Sequence, residues 1–388
     1  MPNSAVVSAP AVPPGSAGAS RVFSRSDLTI LGLAALASVL AGAAHYAAAP
    51  SVLRFVVSAA AIALLASVVG RCVERLGDRL GAGATGVLQS ALGNLPELFI
   101  AFFALRAGLL SVVQAAIIGS ILANLLLVLG AAFIVGGLKH GTQRFSAGPA
   151  RTNVVLLALA TAALVLPSFA AHTNSPATHH LTALSVAVAI VLLAVFALSL
   201  PASLRRQTGS GSDSDSSVGN AVRAIGHEDS THHQGHWPIW LAVVLLAASG
   251  VIAGLVSDWF VDALQPAMES LHISQAFAGL VIVAIAGNAV ENFVGIQLAA
   301  RNQADYALSV IVNSPLQIAL VLAPALVILS TVLGFAPLTL VFSPVLVIAV
   351  FLAVLIAVVI TVDGTSDWIE GAALIGVYVV IAAAFWWG

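Results

Sequence analysis

The chain alternates long apolar runs with short polar or Gly/Pro-containing breaks. Most runs reach about 20 residues, the length a helix rising 1.5 Å per residue needs to cross a bilayer core of about 30 Å. The pattern predicts eleven spanning helices, over residues 28–47, 52–74, 82–106, 110–137, 152–171, 180–200, 238–263, 272–300, 306–330, 338–361 and 367–387. Two connections are long, 138–151 and 201–237. The second contains Gly209-Ser210-Gly211-Ser212-Asp213-Ser214-Asp215-Ser216-Ser217, the composition of a flexible linker. Residues 1–26 open with a Pro-, Ala-, Ser- and Gly-rich stretch expected to be disordered. The run at 28–47 is expected to be a retained helix, because a signal-peptide core is only about 7–15 residues.

Composition makes lipid the main solvent. Of 388 residues, 60% are hydrophobic and 8% charged, against about 25% charged in a soluble domain. The fold class is therefore all-α, a polytopic membrane protein. A net charge of −2 gives no footing for nucleic acid. The single Cys72 excludes an intrachain disulfide and reads as apolar filler. Lys and Arg residues test the helix count. With the N-terminus cytoplasmic, Arg21, Arg25, Arg71, Arg75, Arg79, Lys139, Arg144, Arg151, Arg205, Arg206, Arg223 and Arg301 fall inside, leaving only Arg54 and Arg106 outside. That skew follows the positive-inside rule and puts the C-terminus outside. Trp237, Trp240, Trp368, Trp386 and Trp387 fall at span ends, as an aromatic belt does.

Two polar motifs interrupt the apolar runs. Gly93-Asn94-Leu95-Pro96-Glu97 and Gly287-Asn288-Ala289-Val290-Glu291 are separated by 194 residues (291 − 97), and Ser120 and Ser314 keep the same offset. The copies lie five helices apart, so the halves are inverted. The expected organisation is an extra helix at 27–50, a first five-helix repeat at 51–200, a cytoplasmic linker at 201–237 and a second, inverted repeat at 238–388. Inverted halves with a polar, Gly-interrupted helix in each mark secondary transporters, with the site at the midplane.

Glu97 stands about 15 residues into its span, about 22 Å along the helix, and an ionisable group at that depth is costly unless it serves an ion path. Gly93, Pro96 and Gly287 weaken each helix just before its acid. Asn94 and Asn288 put an amide oxygen on the same face as each Glu. With Ser120, Ser314 and Gln317 the donor set is all oxygen, which suits Ca²⁺ and leaves Mn²⁺ open; zinc or copper prefers Cys or His. Two carboxylates are neutralised by one divalent cation or by two protons. No resident cofactor is expected.

These motifs resemble the calcium/cation antiporter superfamily, in its cation/proton exchanger (CAX-type) branch. The likeness rests on Gly93-Asn94-Leu95-Pro96-Glu97-Leu98, Phe102-Phe103-Ala104-Leu105-Arg106-Ala107-Gly108, the run from Gly119-Ser120 to Leu129-Gly130, Gly287-Asn288-Ala289-Val290-Glu291, and Asn313-Ser314-Pro315-Leu316-Gln317-Ile318. It extends in layout from about residue 50 to the end. It implies an eleven-helix exchanger whose two repeat glutamates bind Ca²⁺ and H⁺ in turn. Leu95-Pro96 stands where many members have Ala-Val or Ala-Thr, and Glu291-Asn292 where Glu-His is common. The sodium-coupled branch usually carries an Asp and hydroxyls in its second repeat, which Asn288-Ala289-Val290-Glu291-Asn292 lacks.

The expected function is export of cytosolic Ca²⁺ against entering protons, in a prokaryotic plasma membrane. A Na⁺-coupled or Mn²⁺-preferring exchanger is the nearest alternative, ahead of a cation channel and a membrane enzyme. His227, His232, His233 and His236 in the linker read as a solvated loop, or as a weak metal or pH sensor. Asp258, Asp262 and Glu269 are expected near the outer end of the seventh span. No Walker-type loop appears, so ATP-driven pumping has no support.

Overall fold

The computed structural model describes residues 23–80, 92–173, 176–209 and 237–387. Most of the N-terminal tail, the start of the third predicted span and most of the linker, including His227, His232, His233 and His236, lie outside the described residues. The chain forms α1 (Arg25–Tyr46), α2 (Ser51–Leu80), α3 (Leu95–Arg106), α4 (Leu110–His140), α5 (Ala147–His172), α6 (Leu181–Gly209), α7 (Ile239–Leu271), α8 (Gln275–Gly287), α9 (Ala289–Ala300), α10 (Ala304–Val332), α11 (Pro344–Val362) and α12 (Trp368–Trp386). Among the described residues nine helices are long and apolar enough to cross a bilayer, or ten if α8 and α9 are one span bent by 65°. The third predicted span is described only over α3. The protein is an integral membrane protein, all-α apart from one two-residue ladder, β1 (Gln143–Arg144) with β2 (Thr365–Ser366).

Three helices run on past their predicted ends, α2 to Leu80, α6 to Gly209 and α7 to Leu271, and two predicted spans are interrupted or shortened. Residues 272–300, expected as one helix, break at Asn288 into α8 and α9. The tenth span starts at Pro344 rather than 338, because residues 338–343 are not helical.

The 194-residue offset holds in three dimensions. It carries α3 onto α9, border for border, and the first residue of α4 onto that of α10. It pairs Asn94 (φ −92°, ψ 20°) with Asn288 (φ −104°, ψ 19°), each capping the helix that bears its acid. It also pairs Gly108 (φ 76°) with Asn302 (φ 61°), the left-handed residues that reverse the chain after α3 and α9. Glycine and asparagine are the residues that adopt this conformation most readily. Both α4 and α10 widen into a π-turn at matching places, Ala123–Val128 and Ile318–Leu322.

Connections that the eleven-helix count puts at one face do meet. Ser51 Oγ lies 3.3 Å from Ser270 Oγ, and Ser274 Oγ donates to the Phe385 carbonyl at 2.5 Å. At the other face β1 pairs with β2 and His140 Nε2 lies 3.0 Å from the Ala300 carbonyl. Helix α1 lies against α2 and α7. Its buried Asp27, in a capping box with Ser24, pairs with Arg71 at 2.6 Å, and Gly42 lets the Trp259 ring approach to 3.0 Å of where a Cβ would stand. Phe55 of α2 stacks on Phe260 of α7 at 4.8 Å.

Candidate ion-binding site

The two helix breaks face one another. A Cβ on Gly287 would stand 3.2 Å from Cβ and Cγ of Glu97, so the missing side chain is what lets the second break close on the first acid. Gly93 falls in the turn before α3, and Pro96 is that helix's second residue. A first turn tolerates proline, whose absent N–H would have no partner there. The break therefore falls at Gly93–Asn94, and Pro96 opens the helix after it rather than breaking one. Both acids sit in the first turn of their helix, where the dipole favours negative charge.

Asn288 is the hub. It is fully buried, and its Nδ2 group faces the Ala284 carbonyl at 2.9 Å, Ser120 Oγ at 3.0 Å and Glu97 Oε1 at 3.4 Å. Its Oδ1 accepts from Ser314 Oγ at 3.2 Å. Ser120 Oγ donates to Glu97 Oε1. One amide thus joins α3, α4, α8 and α10, two elements from each half. To one side, Asn94 Nδ2 donates to Gln317 Oε1 at 3.4 Å, with both residues buried.

The carboxylates differ. Glu97 is 2% exposed, and its second oxygen, Oε2, is buried without a hydrogen-bond partner. An unpaired buried oxygen is costly unless a proton or cation takes the place. Glu291, three residues past Asn288 in the first turn of α9, is half-buried. Hydrogen bonds thus bring Glu97, Ser120, Asn288 and Ser314 together where α3, α4, α8 and α10 meet, and pair Asn94 with Gln317.

Asn124 was not among the sequence candidates. It is fully buried one turn beyond Ser120, donates to the Ser120 carbonyl at 2.9 Å, and leaves Oδ1 unpartnered. A polar residue four positions after Ser120 in an apolar run was the available signal. The offset hid it, since position 318 is Ile. By contrast Gly119, Gly130, Gly136 and Gly137 are packing positions. A Cβ at Gly130 would meet the Gly371 carbonyl at 2.7 Å, and one at Gly137 the Trp368 nitrogen at 2.8 Å.

A family profile described as "Sodium/calcium exchanger protein" matches residues 50–204 and 241–387, which takes in both breaks and both acids. The chain belongs to the sodium/calcium exchanger protein family. Within this family it is similar to a "Ca(2+)/H(+) antiporter" of Aphanothece halophytica, 39% identical over 337 residues, or 85% of this chain and 89% of the relative. The "Ca(2+)/H(+) antiporter ChaA" of Bacillus subtilis is 35% identical over 352 residues, covering 90% of this chain and 95% of that one. A solved structure titled "Structure of native YfkE" aligns with a TM-score of 0.74 at 33% identity, over 92% of this chain and 99% of the other.

Proposed function

We propose that this family member is a secondary transporter exchanging Ca²⁺ for protons by alternating access, with Glu97 and Glu291 binding either load. The observation that carries the reading is the buried, half-satisfied Glu97 carboxylate set on the Asn288–Ser120 pair, with a second carboxylate three residues past Asn288. The relatives named as Ca²⁺/H⁺ antiporters, which match over most of their own length, support the two loads.

In this reading the cation displaces protons from both carboxylates and collects amide and hydroxyl oxygens from Asn94, Asn288, Ser120, Ser314, Gln317 and Asn124. A hard cation such as Ca²⁺ takes about 6–8 such oxygens. Either load neutralises the acids and lets the site be buried, whereas the empty dianion is too costly to enclose. That difference couples the two fluxes. The halves are inverted repeats, 51–200 and 238–388, with α1 outside them. The Lys and Arg skew places the N-terminus in the cytoplasm, and bacterial relatives favour a plasma-membrane location, so Ca²⁺ leaves the cell as protons enter.

Vesicles reconstituted with the full chain test this. An imposed pH gradient should drive uptake of radiolabelled Ca²⁺, and an imposed Na⁺ gradient should not. Uptake driven by Na⁺ would move the protein to the sodium-coupled branch. Flux indifferent to both gradients would make it a channel.

A further inference from the structure

The connection between α10 and α11 does more than join two helices. Gly334 (φ 71°) turns the chain off α10. Residues 338–342 then alternate buried and half-buried, the period of a strand, although no strand pairs with them. Leu338, Leu340 and Phe342 are each at most 1% exposed. Non-helical backbone in a membrane protein must find its hydrogen bonds inside the protein.

Four side chains on four helices supply them. The Leu338 amide donates to Ser330 Oγ of α10 at 2.9 Å. Gln114 of α4 gives one amide group to two carbonyls, Thr339 at 2.9 Å and Val341 at 3.0 Å. The Leu340 amide donates to Ser185 Oγ of α6 at 3.0 Å. Ser168 of α5 accepts from the Phe342 amide at 2.9 Å and donates to the Leu340 carbonyl at 3.1 Å. Gln114 uses both amide hydrogens in these bonds. The hydroxyls of Ser185 and Ser330 donate to their own helices, at the Leu181 and Val327 carbonyls, each 2.8 Å away.

Helix α4 carries Ser120 six residues beyond Gln114, about 9 Å of helix rise, and α10 carries Ser314. Both hydroxyls meet Asn288. We propose that residues 338–342 form a strap fixing α4 against α5, α6 and α10, and that Gln114 is a positioning residue that holds Ser120 on Glu97. This rests on Glu97 being an ion ligand.

The test uses the full chain in vesicles. Gln114→Leu keeps the bulk of the side chain and loses both donors. It should raise the half-saturating Ca²⁺ concentration about tenfold while the maximum rate stays within about twofold. Ser185→Ala loosens the strap at a helix with no site residue, so it should lower Tm and leave half-saturation unchanged. Equal shifts in both variants, or a lowered Tm without a shift for Gln114→Leu, would overturn the positioning role. Ser330→Ala, acting on α10, should reproduce the Gln114→Leu shift if that variant does not fold. Amide hydrogen exchange in the wild type judges the strap without transport. The Leu338, Leu340 and Phe342 amides should exchange at least about 100-fold more slowly than in a free peptide, both with Ca²⁺ and with chelator. Free-peptide rates in either condition would refute the strap. Should wild-type vesicles exchange no Ca²⁺ for protons, the ion reading falls, and slow amides would still uphold the strap.

Discussion

Glu97 and Glu291 hold equivalent places in the sequence but not in the site. Glu97 is enclosed and hydrogen-bonded through one oxygen, whereas Glu291 is half-buried. If both acids bind the load as proposed, Glu97 enters binding already held by Ser120, and Glu291 is the more exposed of the two. Glu97→Gln keeps the shape and an acceptor but removes the charge, so exchange should vanish while the protein still inserts and elutes as the wild type does. Glu291→Gln should do the same. Substantial proton-driven Ca²⁺ uptake by either variant would defeat the assignment. These positions were legible in the sequence because a rare event, an acid inside an apolar run, occurs twice with the same neighbours and spacing. Asn124 was not, since its counterpart at 318 is apolar and duplication could not single it out. Nor could the sequence say that Gly287, the last residue of α8, also leaves room for the Glu97 side chain.

Among the elements, glycines decide how closely helices approach. Two glycines face each other where α4 meets α12: a Cβ at Gly371 would stand 2.5 Å from the Gly130 carbonyl, and one at Gly130 2.7 Å from the Gly371 carbonyl. Backbone, unlike a flexible side chain, cannot swing aside. Gly371→Val should therefore part the two helices and cost about 1–3 kcal/mol or more, read as a lowered Tm. Gly376, with nothing within 4 Å, should accept the same change with little effect. A variant at 371 as stable as one at 376 would show that the helices are not in close register. The apolar runs made most spans legible, since length and hydropathy decide whether a helix crosses a bilayer. They misplaced the start of α11, because residues 338–343 are apolar at four of six positions and run straight into the helix. What keeps that stretch from being helical is a set of hydrogen bonds to Gln114, Ser168, Ser185 and Ser330, the first three more than 150 residues away in sequence. The local signal was the Ser343-Pro344 pair, an N-cap followed by proline at the first helical position, which marks the start of α11; the partners of the stretch before it are not legible locally.

At the scale of the whole molecule, α1 precedes the elements that the 194-residue offset relates and is joined to α2 by the Asp27–Arg71 pair. Asp27→Ala would leave Arg71 and Arg75 without their acid. With Arg71 still 29% exposed, the loss should be about 1–3 kcal/mol, less than for a fully buried pair. Exchange per inserted molecule should persist, because no site residue lies on α1; a dead but well-folded variant would give this helix a part in transport. The proposed function sets a pH response for the whole molecule. If Glu97 and Glu291 take either load, Ca²⁺ needs both carboxylates unprotonated and protons compete for the same oxygens, so acidification should weaken Ca²⁺ binding. Where both acids are unprotonated, half-saturating Ca²⁺ should not depend on pH. Where both are protonated it should rise up to about 100-fold per unit of acidification, a tenfold factor for each displaced proton. Direct Ca²⁺ binding to detergent-solubilised protein over a pH series measures this slope without transport. In Glu291→Gln only one proton remains to be displaced, and the limiting slope should fall to about tenfold per unit. Ca²⁺ binding that ignored pH in the wild type would mean that metal and protons do not share Glu97 and Glu291.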